Sequence, residues 1–382
     1  MHHGVMAGRP AQRRALGGTI LFLLALALAA LGFAADAMLT TMLATAAEAP
    51  RRETLAGDRV ALYTLAGAVR VEAGRGQMVE VEVTPGGRDA ASLAVETGRI
   101  GERTTLRVVF PGRRIVYPGI GRGSTTQLRV RDDGTFGDGR GSDLFGVRTV
   151  RIASSGGGLE AHADLRVYVP PGKTVEVRVG AGRIDAAHVD GRLVLDTASG
   201  PVTASGTRGD LVVETGSGGV RVSDARGDVT VDTGSGAVEV SAVRGDRLLV
   251  DTGSGSVRGS DLEVGSLTVD TGSGGIDLSE VNARDVSLDT GSGPVNLDLV
   301  GQAERVAVDT GSGDVTLRLP RSLGAKVSIE TGSGAIRTDL PFRTLRRSKD
   351  ALRGEIGDGH ANLRLETGSG DVHVAAAAVP AR

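Results

Sequence analysis

The sequence contains no cysteine and no tryptophan, and aromatic residues make up only 2% of it. Without cysteine the chain can form no disulfide, no thiol nucleophile, no Cys-ligated metal site and no lipidated N-terminal cysteine. With so few aromatic rings, a hydrophobic core has to be built from Val, Leu, Ile and Ala. Neither sign of charge is in excess, since the formal net charge is −2. This balance argues against a nucleic-acid partner, or an anionic membrane, bound through bulk charge.

Glycine, by contrast, is abundant, at 59 of 382 residues. Gly-rich chains with few aromatics are often disordered, but here the apolar residues recur with a regular period, which predicts a folded chain. The length allows about two to three ordinary domains.

The first region, residues 1–50, predicts export. A short basic stretch precedes the apolar run Leu16–Ala35, which is about as long as the roughly 20 residues needed to cross a bilayer. Small residues follow, so the run is typical either of a signal peptide with a late cleavage site or of an uncleaved membrane anchor. In both cases the basic stub stays cytoplasmic, and everything after residue 50 lies in the periplasm, at the cell surface or on the non-cytoplasmic side of a membrane.

The second region, residues 51–170, has strand-like apolar runs separated by turn signals, which predict an N-terminal β region. A Gly-rich insert at 111–143 interrupts it. Four aspartates of the insert faintly resemble a calcium loop: Asp132, Asp133, Asp138 and Asp143. Their spacing fits no EF-hand and no nonapeptide calcium repeat, so we interpret the insert as a solvated, flexible loop.

The third region, residues 171–382, is built from a repeat. The pattern Asp/Glu-Thr-Gly/Ala-Ser-Gly occurs nine times. Its copies begin at Asp196, Glu214, Asp232, Asp251, Asp270, Asp289, Asp309, Glu330 and Glu366. Successive copies are 18 to 21 residues apart, except for a gap of 36 residues before the last. A nearly fixed period means that one structural unit is repeated, so the unit has to be interpreted before any single residue.

Apolar residues alternate with small, polar or charged ones on both sides of each copy, which predicts strands with one buried and one solvated face. A propeller blade needs about 40 residues and four strands, twice what one repeat offers. The sequence therefore predicts an all-β fold, a single-stranded parallel β-helix or solenoid with one repeat per coil and about 4.8 Å between coils. We expect right-handed coils, as for parallel crossovers in general, although coils of 18 residues also suit a left-handed helix.

Asp-Thr-Gly is also the tripeptide that carries the catalytic carboxylate of aspartic proteases. Those enzymes need two facing carboxylates in one cleft, whereas nine equivalent copies on a rod offer no unique pair. If Val229 and Val231 point inward, then Thr233 does too, and Asp232 points to solvent. The nine acidic residues then form an exposed row, the acidic ladder, beside turns whose glycines we expect to adopt positive φ. Nothing supplies the 6 to 8 oxygens that calcium requires, so we expect no metal. We likewise expect no catalytic residue and no cofactor.

The 36-residue gap marks an insertion at 335–362, whose segment Phe342–Gly354 predicts either a short helix or an extended loop. One interpretation is a cover over the open end of the rod that prevents edge-to-edge aggregation. The other is a binding site for an acidic envelope polymer. That site would be the basic patch, which consists of Arg343, Arg346, Arg347, Lys349 and Arg353.

The Asp-Thr-Gly-Ser-Gly-x-Val-x-Val array, with Glu160–Gly200 and the closing Leu352–Val374, resembles the bacterial putative-adhesin family of β-strand-repeat proteins. The resemblance spans most of Arg51–Val374. It implies an exported, single-stranded β-helix protein with a surface or envelope role. It transfers no catalytic residue, because the family is a domain of unknown function without an established active site, and the adhesin label is itself a fold-level analogy.

These features predict an exported, non-enzymatic, adhesin-like cell-envelope protein whose solenoid binds or scaffolds an envelope protein or glycan. Two alternatives stay open. One is a polysaccharide lyase or hydrolase on a β-helix, whose polar candidates outside the repeats are Arg337, Arg364, His373 and Asp358. The other is an envelope-stress sensor that contacts the membrane through an uncleaved N-terminal segment.

Overall fold

The computed structural model describes residues 50–137 and 146–377. They belong to one compact unit, Pro50–Arg382. The predicted export segment lies outside the described residues, as do Asp138 and Asp143 of the insert. Within the described ranges, no helix is long and apolar enough to cross a membrane.

The described residues form an all-β structure whose only helical pieces are two 3₁₀ turns, Ala90–Ser92 and Pro118–Ile120. The strands of the N-terminal region are β1 (Arg51–Leu55), β2 (Arg59–Ala66), β3 (Val69–Ala73), β4 (Val79–Gly86), β5 (Ala94–Ile100), β6 (Arg103–Val109), β7 (Arg114–Val116), β8 (Thr125–Arg131), β9 (Val147–Ala153) and β10 (His162–Val169). The strands of the repeat region are β11 (Lys173–Ala181), β12 (Ile184–Ala187), β13 (Gly191–Ser199), β14 (Val202–Ser205), β15 (Leu211–Ser217), β16 (Val220–Arg226), β17 (Val229–Ser235), β18 (Val238–Thr252), β19 (Val257–Thr271), β20 (Ile276–Thr290), β21 (Val295–Leu299), β22 (Arg305–Thr310), β23 (Val315–Leu319), β24 (Ala325–Thr331) and β25 (Ile336–Thr338). The last four are β26 (Arg343–Arg347), β27 (Ala351–Ile356), β28 (Ala361–Thr367) and β29 (Val372–Ala376).

The repeats stack as coils of a solenoid, as the period predicts. In the repeat region, the strands that precede each Thr-Gly-Ser-Gly turn pair in parallel with one another, and the strands that follow the turn form a second parallel series. The register advances by one repeat at each step, so that Asp232 opposes Glu214 on one side and Asp251 on the other. All described strands except β7, β8 and β9 join one continuous sheet of 26 strands.

In the middle of the stack, the second corner of the coil is a bend at a single residue. The strands β18, β19 and β20 are each 15 residues long and pass through this corner without a break. The bend lies at Ala242, Asp261 and Glu280, whose φ angles are 52°, 55° and 53°. Since these residues occupy the left-handed region that mainly glycine tolerates, the stacking of neighbouring coils has to hold them there.

The core lies between the two strand series and is aliphatic. Val229, Val231, Val238 and Val240 are each at most 1% exposed, and their counterparts in the other coils are buried in the same way. A buried Val or Leu side chain contributes about 1.5–3 kcal/mol, so ladders of them can hold the coils together without aromatic residues.

The threonine of each repeat turn is buried, and all of these threonines except Thr233 tie their coil to a neighbouring one. Thr290 Oγ1 donates a hydrogen bond to the carbonyl oxygen of Gly274 (2.8 Å), and Thr310 Oγ1 donates to that of Gly293 (3.0 Å). Thr233 differs, because its buried Oγ1 has no hydrogen-bond partner within the described ranges.

The glycines of these turns serve close approach between coils. Gly234 and Gly236 do not have the positive φ that we expected, so that expectation is wrong for them, although Gly200 does have it (147°). A Cβ at Gly234 would lie 2.7 Å from the carbonyl oxygen of Gly216, and one at Gly236 would overlap that of Gly218. Glycine is therefore required at these positions because the preceding coil leaves no room for a side chain.

The order of coils in space departs from their order in sequence at both ends of the stack. Strand β28 lies between β22 and β24, and β29 lies between β23 and β25. Likewise β2 lies between β6 and β11, and β3 lies between β10 and β12. The first complete coil and the last coil of the sequence are thus interior layers, and neither can fray as a terminal layer would.

Antiparallel strands close both ends, so the predicted parallel β-helix describes the stacked coils and not the whole sheet. At one end β1 pairs with β4, β4 with β10, and β5 with β6. At the other end β27 pairs with β24 and β26 with β27. The segment Phe342–Gly354, for which a helix or loop was expected, contributes to this hairpin because the edge of β24 offers unpaired backbone groups.

The insert at 111–143 is not a solvated loop in its described part, which corrects that expectation. Strands β7, β8 and β9 form a small sheet that packs on the outer face of β11. A Cβ at Gly180 would lie 2.5 Å from Leu128 and 3.0 Å from Ile152, which shows how closely the sheet approaches. Alternating apolar residues in β8 and β9 drive this packing, and Val130 and Ile152 are fully buried.

Thr290→Val and Thr233→Val should affect stability differently, although both remove one buried hydroxyl from the same row of turn threonines. Thr290→Val loses its hydrogen bond and should lower the free energy of unfolding by about 1–2 kcal/mol. Thr233→Val removes a buried hydroxyl without a partner and should leave stability unchanged or raise it by about 1 kcal/mol. Urea unfolding followed by circular dichroism measures both, and equal effects of the two variants would contradict this role of the threonines.

Candidate functional site

The nine residues of the acidic ladder stand in register on successive coils. Every one of them is exposed or half-buried on the outer face, while the adjacent threonines point inward. Their order in space is Asp196, Glu214, Asp232, Asp251, Asp270, Asp289, Asp309, Glu366 and Glu330. The last two are exchanged relative to the sequence because β28 lies between β22 and β24.

The middle of the ladder carries unneutralised negative charge. Within the described ranges, Asp232, Asp251, Asp270 and Asp289 form no ion pair. Burial, and then the neighbouring carboxylates on either side, raise the pKa of Asp251 and of Asp289 above the usual range. Repulsion between neighbours about 4.8 Å apart is of the order of 1 kcal/mol in water and less in salt, which the stack tolerates.

The ladder does not form a metal centre in the part of the chain that the structure describes. No group of three or more His, Cys, Asp or Glu side chains converges there to hold an ion. Each carboxylate is fixed to its own layer by the parallel register, so successive oxygens form a row and do not surround a common point. The row can act as a strip of negative potential.

Arginines pair with both ends of the ladder. Glu366 accepts a hydrogen bond from Arg364 (2.6 Å), and Glu330 accepts one from Arg353 (3.0 Å). At the other end, Asp196 forms a close ion pair with Arg178.

Asp196 is the most buried rung, because the insert sheet covers this part of the outer face. Its side chain is 19% exposed and that of Arg178 is 9% exposed. Arg178 also donates a hydrogen bond to the carbonyl oxygen of Gly137 (2.6 Å). Burial raises the pKa of Asp196 to about 6, against the opposing effect of Arg178 and with a smaller contribution from Glu214.

The basic patch lies on the hairpin of β26 and β27, and all five residues of β26 are exposed. Carboxylates neutralise part of it, since Arg343 pairs with Glu355 and Arg353 with Glu330. The guanidinium of Arg347 reaches the backbone oxygen of Ile336 at 3.5 Å. Within the described ranges, Arg346 and Lys349 have no ion-pair partner.

A groove of about 580 Å³, the cap groove, lies where this hairpin meets the end of the acidic ladder. The ladder supplies Asp309, Glu366 and Glu330 to it, and the hairpin supplies Arg346 and Arg353. The coil symmetry is broken here. Residues of the basic patch and of the acidic ladder line the same groove.

The four candidates for polysaccharide chemistry are only partly brought together. Arg337 and His373 are register partners on β25 and β29. His373 Nε2 lies 2.7 Å from Asp339 Oδ2, a contact that the sequence did not suggest because Asp339 lies outside the repeat. Arg364 lies on β28 and pairs with Glu366, and Asp358 accepts a hydrogen bond from the backbone of His360.

A second groove of about 620 Å³, the Tyr117 groove, lies near the other end of the stack. Tyr117 comes directly after β7 and stands over the outer face of strands β3, β10 and β12. Arginines Arg70, Arg166 and Arg183 line the groove, together with carboxylates. Sequence reasoning missed these residues, because they come from separate segments of the N-terminal and repeat regions and are assembled by the placement of β3 between β10 and β12.

Asp196→Asn should flatten the pH dependence of unfolding. A carboxyl whose pKa rises from 3.8 to about 6 on folding stabilises the folded state fully below pH 4, and this contribution is lost as the pH rises through about 6. This rise in the pKa corresponds to about 2–3 kcal/mol in the free energy of unfolding. Urea unfolding of wild type and variant from pH 4 to 7 measures the difference, and parallel stability curves for the two proteins would contradict the assignment.

Comparison with known proteins places the repeat region in a family. The family model Toastrack DUF4097 matches residues 159–375. None of the curated proteins compared with the chain matches it. Among solved structures, a crystal structure described as that of a putative cell adhesion protein from Clostridium sporogenes is 10% identical, with a TM-score of 0.23, over 86% of this chain and 100% of that chain. Because the family model covers more than half of the sequence, the chain belongs to the Toastrack DUF4097 family, a family of unknown function.

Proposed function

We propose that the chain is an exported, non-enzymatic cell-envelope protein whose solenoid is a rigid, extended surface that binds or scaffolds an envelope protein or glycan. The observation that carries this proposal is the register of the outer face. The ladder position carries a carboxylate on coil after coil, so the surface offers a long row of equivalent groups. Repeat proteins use such extended surfaces for binding. The right-handed winding of the coils is part of the same proposal.

Rigidity supports this role. The first and the last coil of the sequence lie inside the stack, and antiparallel strands cover its ends. The stack therefore presents a surface of fixed length. Ion pairs between coils fix the outer side chains as well, as for Arg221 with Glu239 (2.6 Å) and Arg305 with Asp285 (3.0 Å). Such exposed pairs add little stability, but they keep the charge pattern in place.

A polysaccharide-active enzyme is the second candidate, and one observation favours it. His373 and Asp339 form a pair with Arg337 on the neighbouring strand, which is the kind of combination that acid–base chemistry uses. The pair is 41% and 61% exposed and lies on an open strand face, so it lacks the water-excluding cleft that would strengthen its charges. We therefore rank binding above catalysis.

Export is the first testable part of the proposal. An alkaline phosphatase reporter, which is active only outside the cytoplasm, should be active when fused after Arg382 of the full chain. Deletion of Leu16–Ala35 should abolish that activity by keeping the fusion inside, with the amount of fusion protein checked by immunoblot. An inactive fusion on the full chain would overturn the export proposal.

Binding without turnover is the second part. The full chain, purified in detergent and immobilised, should retain an envelope protein or glycan saturably, and a cytosolic extract should give no comparable retention. Incubation with acidic polysaccharides should release no reducing ends and no unsaturated uronates. Turnover by wild type that disappears in His373→Ala would establish the enzyme instead, and absence of both retention and turnover would contradict both candidates.

A further inference from the structure

The Tyr117 groove holds two guanidinium groups, of Arg70 and Arg183, whose ion pairs with carboxylates are long and include no hydrogen bond. The nearest carboxylate oxygen to Arg70 is on Glu72 at 3.9 Å, and the nearest to Arg183 is on Asp185 at 4.0 Å, both beyond hydrogen-bond distance. Arg166 is different, since Glu72 holds it at 2.9 Å and its guanidinium stacks on the ring of Tyr168.

These two arginines lie on neighbouring coils. Strand β3 carries Arg70, and Arg183 directly precedes β12, which pairs with β3. The backbone N–H of Val69 donates to the carbonyl oxygen of Arg183 (2.9 Å), which fixes the two segments side by side. Both side chains are more than 60% exposed, so their planar groups are available to a ligand carboxylate.

The wall and floor of the groove are apolar. Val69 and Leu165 are buried beneath it. The ring of Tyr117 is half-buried, lies 5.4 Å from the ring of His162, and packs so closely on Gly119 that a Cβ there would overlap it. Tyr117 is therefore a fixed aromatic wall. Burial raises the pKa of its hydroxyl above 10, so the hydroxyl stays neutral and can donate a hydrogen bond.

Two hydrogen-bond donors lie between two acceptors across the groove. Glu82, Arg166, Arg70 and Asp185 oppose one another on successive strands β4, β10, β3 and β12. Four such strands span roughly 14 Å, which is enough for several sugar rings laid along the stack. Asp164 also lines the groove and already accepts a hydrogen bond from the backbone of Ala68 (2.8 Å).

We propose that the Tyr117 groove is a binding site for an acidic glycan, in which Arg70 and Arg183 hold the carboxylate of a uronate residue. The apolar face of a sugar ring packs on Tyr117 and the aliphatic floor, and its hydroxyls donate to the carboxylates of the groove. This inference rests on the proposed function, because it names the ligand class of the binding surface.

The charges of the groove favour this ligand over a dense polyanion. Its lining has as many carboxylates, Glu82, Asp164 and Asp185, as arginines. A nucleic acid or a multiply phosphorylated headgroup would be repelled by those carboxylates, whereas a uronate offers them several hydroxyls for each negative charge. Arg70 and Arg183, which are exposed and donate no hydrogen bond to a carboxylate within the described ranges, in turn favour an acidic sugar over a neutral one.

Calorimetry with tetragalacturonate and the full chain in detergent tests the site, with maltotetraose as the neutral comparison. Wild type should bind tetragalacturonate at least about tenfold more tightly than maltotetraose, since one charge-assisted pair contributes about 1.5–3 kcal/mol. Arg70→Ser combined with Arg183→Ser should abolish that preference, and Tyr117→Leu should weaken both sugars. The control is Arg192→Ser, which removes an exposed arginine that lies outside the groove and pairs with Asp210. This variant should bind both sugars as wild type does.

Unchanged thermal unfolding of each variant establishes that a loss of binding is local to the groove. Equal weakening by Arg192→Ser and the double variant would overturn the inference, because it would show bulk electrostatics. Absence of tetragalacturonate binding to wild type would overturn it too. In that case, continued retention of an envelope component by the immobilised chain would leave the proposed function standing, and loss of retention as well would remove both.

Discussion

The close contact between equivalent Thr-Gly-Ser-Gly turns is the constraint on which the rest of the structure depends. Gly236 leaves space for the backbone of Gly218 one coil away, and the buried threonine side chains bond across the same boundary. A bulkier residue would push the coils apart and break the parallel hydrogen bonds on both sides of the turn. The repeated motif is thus a packing device, and the aspartate before it projects to solvent because the threonine has to project inward.

Uniform stacking creates a problem at the ends, where a parallel strand would expose unpaired backbone groups. The chain solves it by topology. Segments before the first coil and after the eighth motif-bearing turn are threaded so that β2 and β28 become interior strands. The hairpin of β26 and β27 and the strands β5 and β6 close the stack. Short antiparallel connections suit this task, because they reverse direction within a tight turn and need no further coil.

Distinctive chemistry is confined to places where the repeat is broken. Along the middle of the stack the acidic ladder repeats one residue type, which gives a strip of negative potential but no unique arrangement of donors and acceptors. The cap groove and the Tyr117 groove arise where non-repeat segments cross the coils and bring residues from distant parts of the sequence together. The architecture therefore separates a uniform scaffold from two local surfaces with mixed charge and, at Tyr117, an aromatic wall.

The sequence alone predicts the all-β class, the coil length and the faces of the strands. Alternation with a period of two puts Val231 inside and Asp232 outside whatever the neighbouring coil is. It could not determine the order of the coils. All copies share one motif and one register, so β22 can pair with β24 or with β28 equally well by local pattern. Which strand pairs with β22 depends on the hairpin of β26 and β27 and on burial of the last coil. These are long-range contacts that only the folded structure shows. The same long-range choice, made at β3, assembles Arg70, Arg183 and Tyr117.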